Sequence, residues 1–121
     1  MATPDIIDVA TINGVLIAGA VSNSAHDIID VTAEHTFKVN VLAISNIHGT
    51  SDATISVSVS TDNGSNYYHL AKTVTVPADS TVYIITKDTS IYLDETDLLR
   101  VQASAADMLE YVCSYETLND A

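Results

Sequence analysis

The chain has 121 residues, with 16 Asp and Glu against four Lys and Arg, giving a formal charge of −12. A surface of that sign repels nucleic acid and anionic membranes, which argues against genome or lipid binding. A single cysteine, Cys113, excludes an internal disulfide framework, and a chain of this length buries about two thirds of its unfolded surface, so one domain held by packing is expected.

In chain order, the opening MATPDIID has no positive start and no long apolar run, and GVLIAGAV is too short to span a bilayer. Asp5 to Val9 reads DIIDV, and the same five residues recur at Asp27 to Val31. A pair of aspartates three apart invites a metal reading. In an extended chain, however, residues three apart point to opposite faces, so one carboxylate of each pair would face away from any ion. Both copies are therefore expected to be apolar-centred strand segments edged with acid. Between them, TINGVLIAGAVS is expected as a strand or hairpin, with Asn13 and Gly14 as its turn.

HTFKVNVLAISNIHG starts by alternating Phe37, Val39 and Val41 against Lys38 and Asn40, then turns apolar on both faces at Leu42, Ala43 and Ile44. One long central strand, covered on both sides, is expected there. TISVSVS alternates Ile55, Val57 and Val59 against hydroxyls, the pattern of a half-buried strand. In the following STDNGSNYY, Asn63 and Gly64 suit a tight hairpin returning through Tyr67, Tyr68, His69 and Leu70. STVYIIT, DLLRVQASA and MLEYVCSYE read as further strands, the last with Leu109, Tyr111, Cys113 and Tyr115 on one face. VTAEHT and VPADST share the pattern Val, any residue, Ala, acid, any residue, Thr, and are expected to form the same turn in two structurally similar hairpins. About eight short strands with no helix between them argue an all-β, antiparallel sandwich or jelly roll. The expected division is an arm and first strand in 1–26, a sandwich core in 27–116 and a tail in 117–121.

Chemistry-bearing motifs are few. TDNGSN offers Asp62, Gly64 and Asn66 in an order superficially like a calcium loop, without the further carboxylates such a loop needs. His26, His35, His48 and His69 show no zinc spacing, and no nucleophile elbow or phosphate-binding glycine loop occurs. No catalytic residue, metal or cofactor is therefore expected. Candidate contact residues are Ile6, Ile7 and Val9 in the arm, with Tyr67, Tyr68 and Tyr92. Adjacent strand residues point to opposite faces, so one of each pair Tyr67 and Tyr68, or Ile91 and Tyr92, must leave the core.

Several segments, VTAEHTFKVNVLAISN, the alternating ATISVSVSTDNG, and the run from YYHLAKTV through VPADSTVYIIT and LDETDLLRVQASA to CSYE, together resemble a family of small phage structural proteins. They are especially similar to virion proteins of contractile-tailed marine phages that infect cyanobacteria. The resemblance covers about residues 27 to 116, and its motifs are turns and strands, none catalytic. It implies a non-enzymatic component of the virion, assembled in the host cytoplasm. Small size and an arm-like start favour an outer capsid decoration or cement protein that oligomerises, a trimer being one arrangement, and bridges subunits of the major capsid protein or other virion proteins. The alternatives are a neck, tail or fibre adaptor and, from another class, a carbohydrate-binding sandwich, which the absence of Trp weakens. Deleting residues 1–9 is expected to weaken assembly more than folding.

Overall fold

The computed structural model describes the backbone of residues 9–31 and 34–120 and the side chains of 12–31 and 34–118. Nine strands follow in order: β1 (Val9–Ala20), β2 (His26–Asp30), β3 (His35–Asn46), β4 (Ala53–Ser60), β5 (Tyr68–Val76), β6 (Thr81–Ile85), β7 (Ile91–Leu93), β8 (Leu98–Ala103) and β9 (Leu109–Asp120), with one 3-10 turn at Lys87–Thr89. Every pairing is antiparallel. One sheet runs β1-β9-β3-β6, with β7 also on β3, and the other runs β2-β8-β4-β5. The molecule is thus an antiparallel β-sandwich. With β7 set aside, the chain alternates between sheets at each step except the β4–β5 hairpin, which is the winding of a jelly roll.

Inward residues of both sheets form one core, centred on Leu42, Ile44, Ile55, Val57, Leu99, Val101, Leu109 and Cys113. Burying each large aliphatic side chain contributes about 1.5–3 kcal/mol. Leu109, Tyr111, Cys113 and Tyr115 do share the inward face of β9, as their alternation indicates.

β3 is the long central strand, but its apolar double face has a cause other than cover on both sides. Its pairing with β9 shifts between Val39 and Val41. This bulge inserts one residue and switches the phase, so Phe37 and Val39 point inward before it, and Leu42 and Ile44 after it. Val41 therefore does not share the inward face of Phe37 and Val39.

The Asn13-Gly14 turn does not form. Every residue from Thr11 to Ala20 pairs in register with β9, Asn13 opposite Thr117 and Gly14 opposite Glu116. The turn would need positive φ at both residues, and neither adopts it. Pairing along the whole of β9 outweighs the local turn preference. On the C-terminal side, 117–120 continues β9.

The two echoed turns carry their acids in the same conformation: Glu34 has φ 67° and Asp79 φ 55°. Thr32 and Ala33 lie outside the described residues. Neither turn is a hairpin, because β2 to β3 and β5 to β6 each pass from the four-stranded to the five-stranded sheet.

Candidate interaction surface

The outer face of the five-stranded sheet is built by alternation. On β1 the residues Val15, Ile17 and Gly19 turn inward, the last leaving room for the Tyr111 ring, 3.2 Å from where a Cβ would stand. Ile12, Gly14, Leu16, Ala18 and Ala20 therefore turn outward. Cross-strand register then sets Ala18 opposite Val112, Val112 opposite Ala43 and Ala43 opposite Tyr83, an apolar row across four strands. The next row holds Leu16, Ser114 and Val41. Leu16 is 68% exposed, Tyr83 63% and Val112 42%. Polar residues flank the rows, with Ala20, Glu110, Ser45 and Thr81 on one side and Gly14, Glu116, Lys38 and Tyr92 on the other. There the Asn40 amide donates to Glu116 Oε1 at 3.0 Å, and Lys38 Nζ lies 6.0 Å from the centre of the half-exposed Tyr92 ring.

The other sheet covers its outer face with its own chain. Asn63 and Gly64 do take positive φ, 59° and 91°, yet they sit inside a loop spanning residues 61–67 in place of a tight turn. Asp62 organises this loop. It accepts from Ser60 Oγ at 2.8 Å, from the Asn66 amide nitrogen at 2.9 Å and from Asn66 Nδ2 at 2.8 Å, and these donors hold its carboxyl below the usual range. Both oxygens are thus engaged by the loop itself. The Gly64 N–H donates to Ser60 Oγ at 2.8 Å, and the Leu98 and Tyr67 side chains lie within 3.4 Å of where a Gly64 Cβ would stand. Ser58 and Ser60 point outward as their alternation requires, yet both are buried, Ser60 beneath the loop that bonds to its hydroxyl.

Tyr67 closes the loop. Its hydroxyl donates to Asp27 Oδ1 at 3.0 Å, Arg100 Nε donates to the same oxygen at 3.2 Å, and the guanidinium stacks 3.7 Å from the Tyr67 ring centre. Burial first, then the bond and charge of Asp27, push the Tyr67 hydroxyl pKa up. Asp27 is the first residue of the second DIIDV segment, and here the geometry corrects the sequence reading. A register shift between Asp27 and Ile29 places Asp27 opposite outward Arg100, Ile29 opposite inward Leu99 and Asp30 opposite Leu98. The bulge sends both aspartates to the outer face, whereas a regular strand would separate them. Asp27 there serves as the anchor of the loop. Among the described residues no group of three or more His, Cys, Asp or Glu is placed to hold a metal.

The histidines act locally. Nε2 of His26 accepts from the Ser22 N–H at 3.1 Å, and Nδ1 of His48 accepts from the N–H groups of Thr50 and Ser51 at 3.2 and 3.0 Å. Cys113 is fully buried, which pushes its thiol pKa up to about 12 and leaves it unreactive. A hollow on the outer face of the four-stranded sheet is lined by Thr54, Ser56, Thr73, Gln102 and Ser104, without a charge or an aromatic ring. Ser104 Oγ accepts from the Thr54 N–H and Ser56 Oγ from the Thr73 N–H, so local bonds engage two of its four hydroxyls.

The candidate contact residues are not brought together. Ile6 and Ile7 lie outside the described residues, and of Val9 the backbone alone is described, opposite Asp120. Tyr67 is half-buried in the loop clamp, Tyr68 stands 67% exposed on β5, and Tyr92 is on the other sheet. Leu16, Tyr83 and Val112 were not singled out from sequence. Their signal was present in the alternation of β6 and β9, but it required knowing which face those strands turn inward.

No protein-family model matches the chain, and no curated protein matches it. Among solved structures it is similar to a Bacillus endospore appendage protein, from a family of disulfide-linked pili, with TM-score 0.52 and 15% identity over 92% of this chain and 88% of that one. It also aligns with a nucleoplasmin-like N-terminal domain from Drosophila, with TM-score 0.46 and 15% identity over 89% and 91% of the two chains. A pentameric capsid protein from metagenomic phage sequences aligns with TM-score 0.43 and 17% identity over 86% of this chain and 62% of that one. The first likeness is one of fold. Among the described residues no helix is long and apolar enough to cross a membrane.

Proposed function

We propose that the chain is a non-enzymatic structural protein of a phage particle, an outer capsid decoration protein that docks through the outer face of its five-stranded sheet. The sequence resemblance over residues 27 to 116 supports the virion setting. The observation that carries the docking surface is the exposed row Ala18, Val112, Ala43 and Tyr83, continued by Leu16 and Val41. A contiguous outward apolar face on a chain of charge −12 marks a contact region, because single exposed apolar residues are ordinary and rows of them are not. The opposite sheet has its outer face partly sealed by the 61–67 loop and offers a polar hollow without the aromatic platform a sugar ring stacks on.

Imaging of intact particles tests the assignment. Copies in the hundreds over the shell are expected, with Tyr83 and Val112 in the contact, and Tyr83→Glu should lower occupancy. A dozen or fewer copies confined to the neck, tail or fibre would move the protein to an adaptor role. Absence from the particle would refute the virion reading altogether.

A further inference from the structure

A sandwich has four open sheet edges, and in this molecule three of them are blunted. β2 is short, carries Asp27 and Asp30, and is bulged. β5 shifts register twice against β4, and its Thr73 sits at φ 48°, a conformation that β-branched residues rarely adopt. The edge opposite β1 is split between β6 and β7, with the 3-10 turn at Lys87–Thr89 between them. Bulges, charges and short strands are the devices by which sheets avoid pairing with other chains.

β1 carries only one of them, a register shift between Val9 and Thr11 at its start. From Thr11 to Ala20 it pairs regularly with β9, and among the described residues nothing pairs its other side. No Asp, Glu, Lys or Arg occurs between Asp8 and Asp27, the stretch that contains β1, in a chain with 16 acids. A long, uncharged edge in regular register is a template for strand addition.

We infer that β1 pairs antiparallel with β1 of a second copy, about a two-fold axis near Gly14 to Leu16, joining two five-stranded sheets into one. Charge selects the occupant. Two chains of charge −12 associate where their acids stay apart; β5, β6 and β7 also lack Asp and Glu, but β5 is bulged and β6 and β7 are short, so β1 is the long regular edge that meets this condition. Along Thr11 to Ala20 the acids opposite it, Glu110 and Glu116, are on β9, and Asp120 lies opposite Val9 at its far end. Across a β1–β1 seam the two β9 strands stand three strand spacings apart, about 14 Å, beyond the Debye length of about 8 Å at physiological ionic strength. The two-fold also sets outward Ile12, Gly14, Leu16 and Ala18 against one another, with no like charges opposed, and merges the apolar rows of both copies into one face. The inference deepens the docking role proposed above and rests on it only for the use of that merged face.

The test combines sedimentation of the full chain over a range of concentrations with amide hydrogen exchange and single-cysteine cross-linking. The wild-type chain should dimerise, with β1 amides gaining protection as concentration rises. Leu16→Lys places two like charges near the axis on an already exposed position and should weaken dimerisation by about ten-fold or more while leaving the folded spectrum unchanged. Because Cys113 is buried, single cysteines at positions 12, 14, 16 and 18 can be oxidised against a silent background; those at 14 and 16, nearest the axis, should cross-link far above those at 12 and 18. A chain monomeric at all concentrations overturns the inference. So does a dimer whose β1 exchange and Leu16→Lys behaviour are unchanged, or one whose four cysteines cross-link equally poorly. β1 amides protected in the monomer would mean that residues 1–8 of the same chain cover the edge, which also overturns it. None of these results touches particle occupancy, which decides the docking role separately.

Discussion

Removing the Tyr67 hydroxyl measures how the loop is held. Tyr67→Phe deletes one oxygen and its 3.0 Å bond to Asp27, while Arg100 keeps its 3.2 Å contact with the same carboxylate. A hydrogen bond to a charged group contributes about 1.5–3 kcal/mol when shielded. Here the Asp27 and Arg100 side chains are each 33% exposed, so water screens the cluster and the expected loss is about 1 kcal/mol. Arg100→Met keeps the apolar stem but loses the ion pair and the stack on the ring, together about 1–2 kcal/mol. Urea unfolding followed by circular dichroism reads both, and the double substitution Tyr67→Phe with Asp27→Asn should cost less than the sum of the two singles by at least about 0.5 kcal/mol. Hydrogen exchange should show the loosening confined to residues 61–67. Additive losses, or exchange rising equally in β3 and β9, would show that the three groups do not act together as a clamp.

Four further outcomes follow from the same structure. Leu42→Ala empties a fully buried position and should cost about 2–5 kcal/mol in urea unfolding, whereas Tyr83→Ser on the outer face should stay within about 1 kcal/mol. Gly64→Ala forces a side chain into φ 91° against the Tyr67 hydroxyl and Leu98, and should lower stability by about 1–2 kcal/mol in the same assay. The Cys113 thiol pKa is raised from 9.0 to about 12, so the unfolded chain releases that proton first and stability should fall between those pH values, by about 1.4 kcal/mol per unit. Half-buried Tyr115 and Tyr67, also raised, add to the same alkaline slope, and Cys113→Val should remove only the thiol's share, as read by melting temperature against pH. For Asp62 the sign reverses: its depressed carboxyl contributes above the usual carboxylate range and loses that contribution as pH falls through its folded value, so Asp62→Asn should flatten the acid limb of the same profile.

The sandwich was legible because alternation survives in most strands, and β4 and β9 display their inward residues in plain sequence. What alternation could not show is where a residue is inserted. At Val39–Val41 the bulge arises from the pairing of two strands distant in sequence, so the apolar stretch around Leu42 read as cover on both faces. The same limit affected Asp27 and Asp30, which local geometry sent to opposite faces and the bulge returned to one. Asn13-Gly14 and Asn63-Gly64 are identical dipeptides with different outcomes. The first lies where β9 supplies a continuous partner, the second where the chain must leave the sheet, and only the second takes positive φ. Of the contact surface, the tyrosines drew attention because they are aromatic, yet one of them is spent on the clamp. The absence of charge from Asp8 to Asp27 was the stronger signal, and it gained meaning only once β1 was placed at an edge.

The two outer faces divide the molecule's work. On the four-stranded sheet, the 61–67 loop, the Asp27 anchor and the bulged β5 satisfy or shield what would otherwise invite association. Each device constrains the chain: a positive φ at Thr73, a carboxylate committed to Asn66, an arginine fixed over a ring. Among the described residues the five-stranded sheet shows no comparable device along β1 from Thr11 to Ala20 or across the Leu16 to Tyr83 face. β5 still exposes Tyr68, Leu70 and Val74, but the five-stranded sheet joins a row of exposed apolar residues to a long uncharged edge, and the proposed docking and pairing rest on that combination.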